Sequence, residues 1–407
     1  MRPTPASEPP RVLLLEKIHH SAVERFEKAG YRVEQVGGSP SPEELIERLR
    51  QVSILGLRSK TNLTREIVEA APRLEAVGAF CIGTNQIDLQ ACLDHGVAVF
   101  NAPFSNTRSV VEMALGEMII LLRDILKKST MLHDGVWLKS APGAREVRGK
   151  RLGIVGYGNI GAQLSVVAEA VGMEVRYYDI AEKLPLGNAR AVRTLDELLA
   201  ESDVVTVHVD GSPENSDLIG AREFERMKDG VVFINLSRGF VVNLEALRAA
   251  VVSGKVRGAA IDVFPEEPKQ DGDSFESPLQ GLPNVILTPH IGGSTEEAQE
   301  HIGRFVPDRI LDYLEKGSTT LSVNFPPLQL PGFKNAHRVV HVHRNVPGIL
   351  ARINRVMAER GINIVGQYLK TNERIGYVIT DIGRDYEPEV VHELSGISDT
   401  IRVRVLY

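Results

Sequence analysis

The chain has 407 residues, 43% hydrophobic and 25% charged, values ordinary for a globular protein of two or three domains. A formal net charge of −6 without any long basic run argues against a nucleic-acid partner. Two cysteines, Cys81 and Cys92, are too few for a disulfide framework and match no metal spacing, so idle thiols in a reducing compartment are expected and a metal is not.

Residues 1–10 are polar and proline-rich, with no apolar core for a signal peptide. No apolar run approaches the ~20 residues of a membrane span, so a cytoplasmic protein without membrane contact is expected. Residues 11–15 read as a strand, 21–29 as a helix ended by Gly30, and 31–36 as the next strand. Ser41-Pro42-Glu43-Glu44 opens a helix: serine caps it, proline fits the first turn, and the acids complement the dipole. Strands at 52–57, 76–80 and 97–100, with helices between, complete a parallel sheet. One long, mostly apolar helix is expected over 107–131 as a connector to a second domain.

Residues 149–179 organise the second domain. The strand 150–155 runs into Gly156-Tyr157-Gly158-Asn159-Ile160-Gly161, then a helical pattern, then a second strand ending in Asp179. Gly156 permits the tight turn, Gly158 lets backbone approach a pyrophosphate, and Gly161 lets the helix pack on the strand. The unpaired N–H groups and dipole of the helix N-terminus favour the anion. Asp179 lies 18 residues past Gly161, near the spacing of a ribose-hydroxyl acceptor, and its charge with no adjacent arginine favours NAD over NADP.

Later strands are expected at 204–209, 231–236, 258–263 and 285–287. The fold class is α/β: a Rossmann doubly wound sheet over 107–294, inserted in a discontinuous substrate-binding domain of residues 1–106 and 295–325. The chain returns to that domain through a helix at 295–315. A linker at 323–333, rich in proline, leads to a β-α-β-β-α-β order within 335–407, which is ferredoxin-like. Its strands and helices are expected at 337–343, 346–360, 362–370, 374–382, 387–394 and 400–407. It suits a small regulatory or assembly module.

Three chemistry-bearing residues follow strands of the second domain: Arg238, Glu267 and His290. Ligands bind at such strand ends in open α/β sheets. An arginine grips a carboxylate as a fork, a histidine takes a hydroxyl proton near neutrality, and a carboxylate orients the ring. Together they suit hydride transfer from a 2-hydroxy acid.

The glycine loop with Asp179, Asn235-Leu236-Ser237-Arg238-Gly239, the stretch from Asp262 to Pro268, and Thr288-Pro289-His290-Ile291-Gly292-Gly293 occur in family order. Over residues 10–320 the chain resembles the D-isomer-specific 2-hydroxyacid dehydrogenases. The resemblance implies a flavodoxin-like substrate domain and NAD as cofactor. Arg238 then orients substrate, Glu267 supports the histidine, and His290 is the acid–base. Tyr157, Asn159, Ile160, His208, Ser237, Asp262, Gly292 and Gly293 join the glycines and Asp179 around the cofactor. Domain closure over the substrate is also implied.

Within that family, Arg58-Ser59-Lys60-Thr61 and Asn106-Thr107-Arg108-Ser109 resemble the loops of members acting on a phosphorylated acid. Arg58, Ser59, Asn106 and Gln299 would touch substrate. Trp137-Leu138-Lys139 resembles a segment that packs across a subunit boundary and lends Lys139 to the neighbour; Trp137 alone reads equally as a core or interface aromatic. The implied reaction is oxidation of D-3-phosphoglycerate to 3-phosphohydroxypyruvate, the first step of L-serine synthesis, with reduction of 2-oxoglutarate as a side activity and a homotetramer as the assembly. His341-Val342-His343-Arg344-Asn345-Val346-Pro347-Gly348 resembles the ligand loop of an ACT domain, with His343, Asn345 and Asn363 as ligands for an L-serine effector. A short second helix and Arg344 beside the loop depart from that pattern, and a module that only holds subunits together is the alternative. The rival functions are a dehydrogenase for an unphosphorylated D-2-hydroxy acid and a non-catalytic NAD(H) sensor.

Overall fold

The computed structural model describes residues 9–268, 272–330, 337–383 and 389–406. Residues 331–333 of the expected linker, 387–388 of the expected last helix and the final residue of the expected last strand lie outside them. The chain forms two compact units, 1–105 with 299–407, and 106–298.

In the first unit, β1 (Arg11–Leu14), β2 (Arg32–Gln35), β3 (Val52–Leu57), β4 (Ala76–Ala79) and β5 (Ala98–Phe100) pair in parallel, in the order β2-β1-β3-β4-β5. A parallel sheet covered on both faces needs unbroken apolar runs. Accordingly Val12 and Leu14 face a cluster with Phe26, Ile54 and Ile310, while Leu13 and Leu15 face Leu45, Leu49 and Leu55. The order reverses between β1 and β3, where doubly wound sheets open a crevice at their carboxyl ends. The helix Pro42–Leu49 starts as its sequence requires, with the Ser41 hydroxyl accepting the Glu44 N–H at 3.2 Å. Val323 and Asn324, at the start of the expected linker, are instead sewn to the sheet edge. Val323 N–H donates to the Val99 carbonyl at 2.8 Å. The Asn324 side chain accepts from Val99 N–H and donates to the Val97 carbonyl, at 2.9 Å each. An asparagine amide satisfies both groups of an unpaired edge, a role that a proline-rich composition hides.

The second unit is a seven-stranded parallel sheet: β6 (Arg151–Val155), β7 (Glu174–Tyr178), β8 (Arg190–Ala191), β9 (Val204–Val207), β10 (Val231–Asn235), β11 (Val256–Ile261) and β12 (Val285–Leu287), ordered β12-β11-β10-β9-β6-β7-β8. This is the doubly wound arrangement read from the sequence, with its reversal between β6 and β9. The long connector helix is not continuous. It runs Thr107–Arg123, breaks at Asp124 in the left-handed region (φ 57°, ψ 34°), and resumes as Ile125–His133. Aspartate tolerates that conformation better than most residues, so the break carries neither glycine nor proline. The first segment buries Val110, Val111, Ala114, Met118, Leu121 and Leu122; the second buries nothing and exposes Ile125, Leu126 and Leu132.

The rest of the first unit is an antiparallel sheet of β13 (His337–Arg344), β14 (Ile364–Thr371), β15 (Ile375–Ile382) and β16 (Thr400–Leu406), ordered β14-β15-β13-β16, with helices Ile349–Glu359 and Glu389–Ser395. Strand alternation divides its core. Val339 packs with Ile349, Ile353 and Met357, whereas Val340 and Val342 join Ile310, Tyr313 and Phe325 beneath the first sheet. Polar pins reinforce that junction. Arg404 reaches Glu75 at 3.1 Å and lies 4.1 Å above the Tyr313 ring, and the Tyr377 hydroxyl donates to the Gly317 carbonyl at 2.8 Å. Among the described residues no helix is long and apolar enough to cross a membrane.

Candidate active site

Gly156 has φ 91°, and a Cβ there would meet the His208 carbonyl oxygen at 2.7 Å. The turn at the end of β6 therefore closes directly on the end of β9, and only glycine fits. A Cβ on Gly161 would overlap the Gly156 carbonyl oxygen, while one on Gly158 would meet nothing. The space in front of Gly158 thus lies open at the start of the helix Asn159–Ala170, whose N-terminus no side chain caps. The first N–H groups of that helix, at Asn159 and Ile160, are the anion donors a pyrophosphate requires. Tyr157 contributes backbone only: its ring stacks on Tyr177 at 3.8 Å and its hydroxyl bonds Ser165 at 2.7 Å.

Asp179 caps the loop, accepting from Tyr157 N–H at 2.8 Å and Ala181 N–H at 2.9 Å. Each carboxylate oxygen keeps a further lone pair, enough for ribose hydroxyls. These features fit NAD. His208 bonds Thr206 through Nε2 at 2.9 Å and keeps a buried Nδ1 without a partner among the described residues; burial lowers its pKa to about 4, so the ring is neutral. The Ser237 hydroxyl donates to Asn235 at 2.8 Å.

The acid–base pair is formed. His290 Nδ1 lies 2.8 Å from Glu267 Oε2. A carboxylate is acceptor-only, so Nδ1 carries the hydrogen and Nε2 is left with the lone pair. The hydrogen bond to Glu267 raises the His290 pKa against burial, the charges of Glu267 and Asp262 add to it, and Arg238 subtracts. Burial alone would raise the Glu267 carboxyl, but bonds from His290 and from Phe264 N–H hold it below the ordinary value.

Asp262 builds the loop that carries the histidine. Buried at the end of β11, it accepts from the Thr288 hydroxyl at 2.6 Å and from Ile291 and Gly292 N–H at 2.8 Å each, while its carbonyl takes the His290 N–H at 2.8 Å. His290 itself sits at φ 54°. Such a conformation persists only where the surroundings over-determine it, and four bonds to one residue do so. Gly292 and Gly293 are packing glycines: a Cβ would press on Asp262 in the first and overlap the Asn106 amide in the second.

Arg238 begins the loop after β10, with Nη1 donating to the Ser237 carbonyl at 2.7 Å. Two further residues escape the sequence reading. A Cβ on Gly239 would overlap the Phe264 carbonyl carbon, so this glycine lets the Arg238 loop seat against the loop carrying Glu267; the Arg-Gly pair beside a strand end was the available signal. Glu117 is buried in the helix Thr107–Arg123, with neither oxygen partnered among the described residues. Burial, assisted by Asp262, raises its pKa to about 8. An acid inside an apolar run was its signal.

Arg58 and Ser59 lie in the first unit, in the loop after β3, the former half-buried and the latter exposed. Gln299 lies in the helix Glu296–Lys316, and Lys139 on an exposed segment beside Trp137, 76% exposed. In the antiparallel sheet, His343 is buried with Nδ1 on the Arg344 carbonyl at 2.7 Å and Nε2 unpartnered among the described residues, and Asn345 donates to the Asn372 carbonyl at 2.8 Å. Asn363 is not brought to them. It precedes β14, whose Ile364 pairs with Ile382, whereas His343 pairs with Gly376. Six residues of strand, about 20 Å, separate the two ends.

The chain matches the family described as D-isomer specific 2-hydroxyacid dehydrogenase, NAD binding domain, over residues 115–292, and an AHAS small subunit-like ACT domain over 339–402. It is 49% identical over 398 residues to D-3-phosphoglycerate dehydrogenase of Haemophilus influenzae, covering 98% of this chain and 97% of that one. The corresponding enzyme of Escherichia coli strain K12 is 48% identical over 400 residues, with 98% and 97% covered. Among solved structures, D-lactate dehydrogenase from Aquifex aeolicus, complexed with NAD and lactic acid, superimposes with a TM-score of 0.67 at 26% identity, covering 77% of this chain and 99% of that one. A glyoxylate reductase from Paecilomyes thermophila gives 0.69 at 28%, covering 78% and 99%. The chain belongs to the D-isomer-specific 2-hydroxyacid dehydrogenase family, as an NAD-dependent dehydrogenase with an ACT-like domain.

Proposed function

We propose that this protein oxidises D-3-phosphoglycerate to 3-phosphohydroxypyruvate, the entry reaction of L-serine synthesis. The observation that carries the chemistry is the 2.8 Å bond between His290 Nδ1 and Glu267, which leaves Nε2 as a base. His290 Nε2 takes the proton of the C2 hydroxyl, and Glu267 stabilises the imidazolium that forms. Arg238 binds the substrate carboxylate as a fork. NAD, when bound, supplies the hydride acceptor; the glycine turn, the helix N-terminus at Asn159 and Asp179 hold it, with His208, Ser237, Asp262, Gly292 and Gly293 shaping the pocket. The relatives' substrate carries a second anion, and Arg58, Ser59, Asn106, Lys139 and Gln299 are assigned to it.

The exposed Trp137-Leu138-Lys139 segment supports a homo-oligomer, a tetramer in this reading, with Lys139 serving a neighbouring copy. His343 and Asn345 from one copy and Asn363 from another would form an L-serine site, consistent with their separation within one chain. A chain with only two cysteines, Cys81 and Cys92, suits the reducing cytoplasm. Reduction of 2-oxoglutarate is assigned as a side activity. The test is NADH formation from D-3-phosphoglycerate against an unphosphorylated 2-hydroxy acid, with and without L-serine. A preference for the unphosphorylated acid overturns the substrate assignment, and no effect of serine overturns the effector.

A further inference from the structure

We infer that Glu16 is a positioning residue for the anionic end of the substrate, acting through the loop that carries Arg58. The inference rests on the reading of Arg58 as a phosphate anchor. Glu16 follows β1 and Arg58 follows β3, the two strands between which the order of the first sheet reverses. Loops at that reversal form the ligand crevice of such sheets.

The backbone there is strained. Glu16 and Lys17 are successive non-glycine residues in the left-handed region, at φ 58° and 53°. Such residues persist only where their surroundings hold them. The conformation turns the Glu16 side chain back under the neighbouring loop, where it is 7% exposed. Its two oxygens accept one amide each, Oε2 from Lys60 N–H and Oε1 from Thr61 N–H, both at 2.9 Å. Its own N–H donates to the Gly38 carbonyl at 3.2 Å, and Leu15 N–H donates to Gly56 at 2.9 Å.

A carboxylate gripping two consecutive amides fixes the Ser59–Lys60 and Lys60–Thr61 peptide planes, and with them the C-terminal side of the loop that carries Arg58. The Thr61 hydroxyl bonds Ser39 at 2.9 Å, and the Gln86 amide donates to the Arg58 carbonyl. Among the described residues the loop backbone is thus held at Arg58, Lys60 and Thr61, while the Arg58 guanidinium has no ion pair. A braced loop presenting an uncommitted guanidinium suits a phosphate monoester dianion, since the fork need not be ordered on binding.

The test is a double-mutant cycle of Glu16→Gln and Arg58→Ala in the full-length enzyme, with KM, kcat, NADH affinity and thermal midpoint measured. Gln keeps the volume but presents an N–H to one amide, removing one of the two bonds. Glu16→Gln is expected to raise KM for D-3-phosphoglycerate about five- to tenfold, less than the full worth of a charge-assisted bond because the loss reaches the substrate only through the loop. KM for an unphosphorylated 2-hydroxy acid, NADH affinity and kcat should each move less than about twofold. In the Arg58→Ala background, Glu16→Gln should add almost nothing to KM, because coupled residues do not add. If Glu16→Gln fails to fold, Glu16→Asp, which keeps the charge but shortens the fork, should give the same KM split. Equal losses on both substrates, or equal effects with and without Arg58, overturn the inference and leave Glu16 merely structural. An unchanged KM in Arg58→Ala itself overturns the phosphate-anchor reading instead.

Discussion

Replacing Glu267 by glutamine removes the charge behind the histidine while keeping a hydrogen-bond acceptor 2.8 Å from Nδ1. A charge-assisted bond contributes about 1.5–3 kcal/mol when buried. Here the side chains of His290 and Glu267 are 49% and 35% exposed, so solvent screening reduces this to about 1–2 kcal/mol. The imidazolium forms in the transition state, so the loss falls on kcat/KM, by about 5- to 30-fold. The pH profile should move as well. Oxidation needs neutral Nε2, and Glu267 raises the His290 pKa above its ordinary 6.5, so the acid limb of kcat/KM lies above that value. Without the charge the limb must move to lower pH. The assay is initial-rate NADH formation across pH, with NADH affinity measured separately. A limb that stays in place or moves upward would refute the assignment of Glu267 as the partner that sets the base.

For Arg58→Ala, KM for D-3-phosphoglycerate should rise about 10- to 150-fold, the loss of one charge-assisted contact, with little change for an unphosphorylated acid; equal losses on both remove its phosphate role. Glu117→Met should stabilise the protein by about 1–3 kcal/mol at alkaline pH, since it replaces an unpartnered buried acid by an apolar chain of similar volume. The sign follows from linkage: a carboxyl raised from 4.5 to about 8 binds its proton more tightly when folded, so its contribution is most favourable below 4.5 and is lost as pH rises to about 8. Denaturation midpoints across that window should therefore diverge between wild type and Glu117→Met, and parallel curves contradict it. Gly239→Ala forces apart the loops bearing Arg238 and Glu267; a cost of about 1–3 kcal/mol and reduced kcat/KM with near-normal NADH binding are expected, and normal turnover argues that the seating is unnecessary.

Much of this was legible because it depends on local rules. The glycine turn is readable since Gly156 must take φ 91° against the His208 carbonyl, and Gly161 must admit the Gly156 oxygen. The parallel strands are readable because both faces are buried. What stayed hidden depends on distant partners. Nothing near Asp124 announces that its backbone turns left-handed, since neither glycine nor proline marks the break in the helix. Asn324 lies in a proline-rich stretch yet completes the edge of β5 from 225 residues away. The family resemblance put Asp262 at the cofactor, but its four bonds to the loop of residues 288–292 are not readable from the sequence. Glu16 reads as an ordinary acid after a strand until Lys60 and Thr61 are folded over it.

The most direct measurement is NADH formation from D-3-phosphoglycerate and NAD by the wild type and by His290→Asn. If His290 is the base, the wild type turns over and the variant loses about 100- to 10,000-fold in kcat, with NADH affinity preserved. Undiminished turnover in His290→Asn, or none in the wild type with any 2-hydroxy acid, would contradict it.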